Sequence, residues 1–209
     1  MLRCFLLLPA IVSLAVPLAA QAPEGWNVRV DRSQNAQDPD DTPELKFVTM
    51  GTGLHVTSGP AGVFWNSSNT TTGDFTAQAA FTLMKLSGHP NYYGLVFGGD
   101  QLDGSGQNYI YFLIAQNDTF IVRHRAGSDV HDVQGRTGHA AINRPGDDGR
   151  STNTLEVRVA GDTISYVIND TVVHTTPKAG MTAKTDGIVG IRVNHLLDVH
   201  IEGFGVETS

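Results

Sequence analysis

Aromatic and cationic side chains alternate with other residues in two segments of this chain. Tyr109 and Tyr111 lie two positions apart, as do Arg123 and Arg125. Residues two apart on a β-strand project to the same face of a sheet, so each pair is expected to share a face. Tyrosine rings can stack on sugar rings, and guanidinium groups donate hydrogen bonds to hydroxyls or anions. The four residues are therefore predicted to line a binding face, with sheet packing and cross-strand ion pairs as the alternative interpretation.

A second polar group surrounds a predicted bend near the end of the chain. Arg192, Asn194 and His195 precede the bend, and Asp198 and His200 follow it. Polar groups at a strand end suit the rim of a binding site, and Asp198 and His200 are spaced to share a face. No serine or cysteine nucleophile stands in a recognisable elbow, so an Asp-His pair does not by itself establish catalysis. A hydrogen-bonded structural histidine is the alternative for His195.

The spacing of the possible metal ligands gives little support for a metal site. None of the eight histidines occurs as His-x-His or His-Glu-x-x-His, so no zinc site is predicted. Carboxylates that could bind calcium occur in two loops, Asp100 and Asp103 in one and Asp38, Asp40 and Asp41 in the other. Neither loop has the periodic spacing of a recognised calcium loop, so ordinary acidic turns are the alternative. The sequence predicts no resident cofactor, with calcium as the one open possibility.

Short alternating strands and tight turns must position these residues. Phe75 to Leu83 gives the longest alternation, and the two-residue turns Gly161-Asp162 and Asn169-Asp170 predict consecutive hairpins. A long polar connection is predicted from Gly127 through Gly149. Other strands are predicted over Trp26–Asp31, Lys46–Met50, Leu54–Ser58, Ala61–Trp65, Tyr92–Gly99, Asn108–Ala115, Thr119–Arg125, Leu155–Ala160, Ile164–Ile168, Val172–His174, Ile188–Val193 and Leu197–Val206. About a dozen strands with one apolar face each predict an all-β, two-sheet antiparallel sandwich of jelly-roll type.

The beginning of the chain predicts export. Arg3, an apolar run to Leu18 and the small residues that follow are typical of a signal peptide, here residues 1–22, which leaves one domain over residues 23–209. The run is too short to span a membrane, and prolines interrupt it. We therefore expect a secreted or periplasmic protein. The single cysteine, Cys4, lies within the predicted signal peptide, so the processed protein is expected to have neither disulfides nor a thiolate.

The charge balance disfavours one class of partner. The chain has 14 Lys and Arg residues against 21 Asp and Glu residues, a formal net charge of −7. Nucleic-acid-binding domains usually carry a concentrated basic surface, so a nucleic-acid partner is not expected.

Three segments resemble the concanavalin A-like lectin/glucanase superfamily. They are Tyr93–Gly99, the hairpin Val167–His174, and Asp186–Arg192 followed by residues 199–206. The chain is more distantly similar to the 3-keto-disaccharide hydrolase family, and it looks most like secreted bacterial domains of unassigned role. The resemblance implies a glycan bound on the concave sheet and, in some members, its hydrolysis. The Glu-x-Asp-x-x-Glu motif of laminarinase-type glucanases is missing from the sequence, so an enzyme of that kind is excluded.

Three functional hypotheses follow, and none assigns a catalytic residue. The first is a lectin-like domain that recognises a glycan or polysaccharide on its concave sheet. Its predicted binding residues are Tyr109, Tyr111, Arg123, Arg125, Arg192, Asn194 and His195. The second is a glycoside-processing hydrolase or lyase that uses groups such as His195, Asp198 and His200. The third is a structural or adhesive module that binds another protein through a sheet edge.

Overall fold

The computed structural model describes residues 22–35, 37–42 and 44–208. The predicted signal peptide, apart from Ala22, lies outside the described residues. Two 3₁₀ turns, Pro39–Asp41 and Gly180–Thr182, accompany the strands. The described residues form fourteen strands: β1 (Trp26–Asp31), β2 (Lys46–Met50), β3 (Gly53–Thr57), β4 (Ala61–Thr71), β5 (Phe75–Leu83), β6 (Tyr92–Asp100), β7 (Asn108–Ala115), β8 (Thr119–Ala126), β9 (Asp129–Gly138), β10 (Ser151–Ala160), β11 (Thr163–Ile168), β12 (Thr171–Pro177), β13 (Gly187–Val193) and β14 (Asp198–Thr208).

The strands form two seven-stranded sheets in which every pairing is antiparallel. The front sheet has the order β1-β4-β13-β6-β7-β8-β9, and the back sheet has the order β12-β11-β10-β5-β14-β3-β2. Strands distant in sequence are neighbours in space, since β13 lies between β4 and β6 and β5 lies between β10 and β14. This arrangement confirms the predicted antiparallel jelly-roll sandwich.

The inner faces of the two sheets enclose one apolar core. The alternating residues of β5, from Phe75 through Phe81 to Leu83, are fully buried in it. Phe112 of the front sheet meets Tyr166 of the back sheet edge to face, with ring centroids 5.3 Å apart. Aromatic contacts of this kind add to the stabilisation from apolar burial, so the core holds the two sheets in a fixed relation.

A second apolar cluster covers the outer face of the front sheet, which we call the front face. Leu102, from the β6–β7 loop, packs on this cluster. The central strands β6 and β7 are therefore buried on both faces, which explains why their sequences read as nearly continuous apolar runs. The buried members of the cluster are Val63, Trp65, Tyr92, Val96, Leu102, Tyr109, Tyr111, Leu113, Ala115 and Ile121.

The predicted polar connection after Gly127 is wrong in its first part, because Asp129–Gly138 is a strand. It pairs with β8 and forms one edge of the front sheet. Most of its side chains are exposed or half-buried, so neither face requires the apolar alternation by which a strand is recognised in sequence. The same reason accounts for β4, which continues past the predicted end at Trp65 through polar residues to Thr71.

In the described part of the chain, no helix has the length and apolar character needed to cross a membrane.

Candidate functional site

The front face brings six of the seven predicted binding residues together. The register of β7 and β8 sets Tyr111 opposite Arg123 and Tyr109 opposite Arg125, so all four side chains share this face. The remaining two, Arg192 and Asn194, reach it from β13 and the residue just after it. The seventh, His195, lies apart from them in a separate cluster.

Arg192 is the centre of a hydrogen-bond network on the front face. Its Nη1 donates to Asp31 Oδ2 at 2.7 Å and to the Tyr109 hydroxyl at 3.0 Å. Its Nε donates to Asn194 Oδ1 at 3.0 Å, and its guanidinium lies 5.6 Å from the centroid of the Tyr111 ring. Burial opposes the charge of Arg192, but the Asp31 carboxylate, as a negative charge and as a hydrogen-bond acceptor, helps to hold the pKa of Arg192 above its usual value. Arg192 therefore stays charged in a largely buried position.

A second arginine ties the network to a loop. Arg29 Nε lies 3.1 Å from Asp31 Oδ1, so that carboxylate has two cationic partners. Arg29 Nη1 donates to the Gly104 carbonyl at 2.6 Å, which fastens the β6–β7 loop over the front face. Neither Arg29 nor Asp31 was among the predicted binding residues. The signal that could have found them is the polar side of the first predicted strand, where both alternate with valines.

The two tyrosines form the floor of the site. Tyr109 is 1% exposed and Tyr111 is 5% exposed, which leaves little ring area for a sugar to stack on. Burial is also the main cause that raises the pKa of Tyr109, so its hydroxyl stays protonated and can donate or accept a hydrogen bond. Any binding role of these tyrosines stays a prediction.

Arg123 and Arg125 are the predicted residues that extend toward solvent from this floor. The Arg123 side chain is 37% exposed, and its Nε pairs with Asp132 Oδ1 of the neighbouring strand at 2.5 Å. Arg125 Nε donates to the Gly127 carbonyl at 2.7 Å. Each guanidinium has five N–H donors, so both arginines keep donors free for a ligand. The cross-strand ion pair that the sequence left open does form at Arg123.

The residues proposed for a hydrolase are divided between two places. His195 faces Asp40 and His89, whereas Asp198 Oδ1 lies 3.0 Å from His55 Nε2 on the outer face of the back sheet. His200 is also on that face, where its Nε2 is 3.7 Å from Glu202. Asp198 and His200 share this face, as their spacing predicts, but Asp198 pairs with His55 of the neighbouring strand, which the register sets opposite His200.

Three histidines should make the stability of the fold depend on pH. Burial is the main cause that lowers the pKa of His55, His124 and His174 below the ordinary value of about 6.5. The unfolded chain therefore binds more protons at mildly acidic pH, and the free energy of unfolding should fall as pH drops below about 6.5.

Thermal unfolding midpoints measured between about pH 7.5 and pH 5 test this expectation. Each kcal/mol lost should lower the midpoint by about 2–4 °C. Substitution His55→Gln should flatten the pH dependence, since glutamine does not titrate. A midpoint that stays constant across this range would contradict the assignment of these three groups.

The acidic loops considered for calcium have internal partners. Asp100 Oδ2 accepts from Lys184 Nζ at 2.7 Å, and Asp41 Oδ2 accepts from the Ser33 backbone N–H at 3.0 Å. Asp38 accepts from the Asp40 backbone N–H and so begins the first 3₁₀ turn. These contacts engage one oxygen of each carboxylate, and both interpretations of the loops stay predictions.

A cleft of about 610 Å³ lies outside the front face. It is formed by the β7–β8 turn, the end of β9 and the start of the β9–β10 connection. An ion pair between Arg144 and Asp118 lies at its wall. None of the seven predicted binding residues lines this cleft. Its lining residues are Asn117, Asp118, Gly138, His139, Ala140, Ile142, Asn143 and Arg144.

The sequence matches no protein-family model and no curated protein. Solved structures share its fold. CBM66 of Bacillus subtilis, a carbohydrate-binding module, aligns with a TM-score of 0.63 at 13% identity, over 88% of this chain and 96% of its own. A Bacteroides ovatus GH16 protein in complex with a G4G4G3G product gives a TM-score of 0.56 at 10% identity, over 84% and 92%. The exoplasmic/lumenal domain of VIP36 gives 0.54 at 11% identity, over 88% and 86%. This chain therefore has the concanavalin A-like sandwich fold that its sequence resemblance implied.

Proposed function

We propose that this protein is an exported carbohydrate-binding domain that recognises a glycan on its front face. The observation that carries the proposal is the polar band across that face. Arg29, Asp31 and Arg192 form its buried part, and Arg123 and Arg125 form its solvent-facing part. The band combines guanidinium donors with the carboxylate acceptors of Asp31 and of Asp132 beside Arg123, and sugar hydroxyls hydrogen-bond to both kinds of group.

The rigidity of the band favours binding. Arg192 is fixed by Asp31, Tyr109 and Asn194 before any ligand arrives. A side chain already held in one conformation loses little entropy on binding, so more of the contact energy contributes to affinity. The tyrosines act here mainly as a floor that orients the guanidinium groups.

The structural neighbours support the class of ligand. One is a carbohydrate-binding module, and the VIP36 domain was solved in a Ca²⁺- and Man3GlcNAc-bound form. Glycan recognition thus occurs on this sandwich fold. The predicted signal peptide supports a secreted or periplasmic location, where polysaccharides and glycoconjugates are accessible.

Calorimetry of the purified protein against a panel of oligosaccharides and polysaccharides tests the proposal. At least one glycan should bind, and the double variant Arg123→Ala/Arg125→Ala should weaken its affinity by at least about tenfold. A hydrogen bond from a charged group contributes about 1.5–3 kcal/mol, and about 1.4 kcal/mol corresponds to a factor of ten.

Arg158→Ala is the matched control for this experiment. Arg158 is 45% exposed and paired with Glu156, much as Arg123 is paired with Asp132, but it lies on the back sheet. Its replacement should leave glycan affinity unchanged. The proposal fails if no glycan binds, or if the double variant binds as tightly as the Arg158→Ala protein.

A further inference from the structure

Three side chains from three different loops converge at one end of the front sheet. Asp40 belongs to the β1–β2 connection, His89 to the β5–β6 connection and His195 to the β13–β14 connection. We call this group the histidine cluster. His89 Nε2 lies 3.1 Å from His195 Nε2, and Asp40 Oδ2 lies 3.7 Å from His89 Nε2 and 3.4 Å from His195 Nε2.

The three separations match the spacing of ligands around one small cation. Atoms separated by 3.1, 3.4 and 3.7 Å have a common point about 2.0 Å from each of them. Bonds from zinc to histidine nitrogen and carboxylate oxygen are about 2.0–2.2 Å long. An ion placed slightly outside the plane of the three atoms would therefore have three bonds of normal length without movement of the loops.

A hydrogen bond between His89 and His195 explains the geometry of the cluster less completely than a bound divalent cation does. One shared proton between His89 and His195 explains only the distance between those two nitrogens and leaves the approach of Asp40 unexplained. Protonation of both rings would set two positive charges 3.1 Å apart. A divalent cation accepts both nitrogen lone pairs and the Asp40 carboxylate together. The cluster is thus arranged as a ligand set.

We propose that Asp40, His89 and His195 bind a divalent transition metal, with Zn²⁺ as the ion that fits best. Imidazole nitrogens with a carboxylate suit zinc and its neighbours in the first transition row, whereas calcium takes six to eight oxygen ligands. The three side chains are 32–48% exposed, so an ion can enter and the fourth position is open to water or to a ligand oxygen.

The metal would connect loops that are remote in sequence. His89 and His195 are 106 positions apart, and neither belongs to a local metal-binding motif, which is why the sequence predicted no zinc site. His195 directly follows Asn194, whose side chain accepts from Arg192, so the ion lies at the edge of the front face. This inference does not rest on the proposed glycan-binding function.

Metal titration of the chelator-treated protein tests the inference directly. Calorimetry with Zn²⁺ should give one site per chain, and Co²⁺ should give the visible absorption bands of a four-coordinate site. Because the ion binds only the folded state, a hundredfold excess of Zn²⁺ over its Kd should raise the unfolding midpoint by roughly 5–10 °C. Calcium should give no such rise.

Single substitutions identify the ligands. His89→Ala and Asp40→Asn should each weaken Zn²⁺ binding at least about tenfold. His131→Ala is the matched control, since His131 is exposed on β9 and outside the cluster, and it should bind as the unmodified protein does. With chelator present all variants should have the same unfolding midpoint. If His89→Ala fails to fold, Asp40→Asn carries the test, because it keeps the shape of the side chain.

Two results would overturn the inference. One is the failure of Zn²⁺, Co²⁺, Ni²⁺ and Cu²⁺ each to bind the unmodified protein at a free concentration of about 100 μM. The other is binding of equal strength in the Asp40→Asn variant, which would assign the ion to other groups.

Discussion

Replacing Arg192 with alanine is expected to destabilise the fold by roughly 3 kcal/mol, near the lower end of the 3–5 kcal/mol typical when one partner of a buried ion pair is removed. Asp31, whose side chain is only 15% exposed in the unmodified protein, is left with one cationic partner, Arg29, in place of two. The substitution also removes the donor to the Tyr109 hydroxyl and the cation above the Tyr111 ring. The remaining Arg29 contact is the reason for expecting the lower end of the range.

Chemical denaturation of four variants, Arg192→Ala, Asp31→Ala, their double variant and Arg158→Ala, measures this effect. Arg158→Ala removes an exposed ion pair and should cost at most about 1 kcal/mol. The double variant Arg192→Ala/Asp31→Ala should be less destabilised than the sum of the two single variants, because the two side chains stabilise each other. An Arg192→Ala cost no greater than that of Arg158→Ala would mean that the network contributes nothing to stability.

Substitution of Gly98 with alanine is expected to lower the free energy of unfolding by more than about 3 kcal/mol, a loss large enough to require a specific structural cause. Gly98 lies at the irregular register between Phe97 and Asp100, with a φ of +61°. A Cβ atom there would lie 2.4 Å from the Lys184 carbonyl oxygen, a backbone atom that cannot rotate away. The strand must therefore shift, and with it the β6–β7 loop that Leu102 and Arg29 hold over the front face.

Gly51→Ala separates the steric clash from backbone strain. Gly51 also has a φ of +61°, but a Cβ atom added there would meet nothing within 4 Å. That variant should cost only the roughly 1–2 kcal/mol of a left-handed conformation in a residue with a side chain. Equal destabilisation of the two variants in denaturant unfolding would show that contact with Lys184 is unimportant.

Local patterns were sufficient to predict most strands. The bounds of β2 and β5 match their alternations, and the turn Asn169-Asp170 has the two positive φ values, +46° and +64°, that a type I′ hairpin requires. The edge strand β9 was missed because its exposed faces need no apolar alternation. Strands that bury one face are recorded in the sequence as a period of two, whereas a strand such as β9, which buries neither face, is not.

The site was predictable only in part, because its contacts join remote positions. Tyr109, Tyr111, Arg123 and Arg125 could be grouped since adjacent strands of one hairpin carry them. Arg192 and Asp31 are 161 positions apart, and their pairing depends on β13 lying beside β4 and β4 beside β1. The order of strands in a sheet has no local signature, so Asp31 and the histidine cluster became recognisable only from the folded arrangement.

The most direct measurement is a nuclear magnetic resonance titration of the isotopically labelled protein with the tightest-binding glycan of the panel. If the front face binds the sugar, the shifted amide and guanidinium signals should cluster at Arg123, Arg125 and Arg192 and at the strands that carry them. Signals that shift instead around the cleft at Asn117 and Arg144, or on the outer face of the back sheet, would contradict a glycan site on the front face. The absence of any shift with every glycan tested would contradict carbohydrate binding itself.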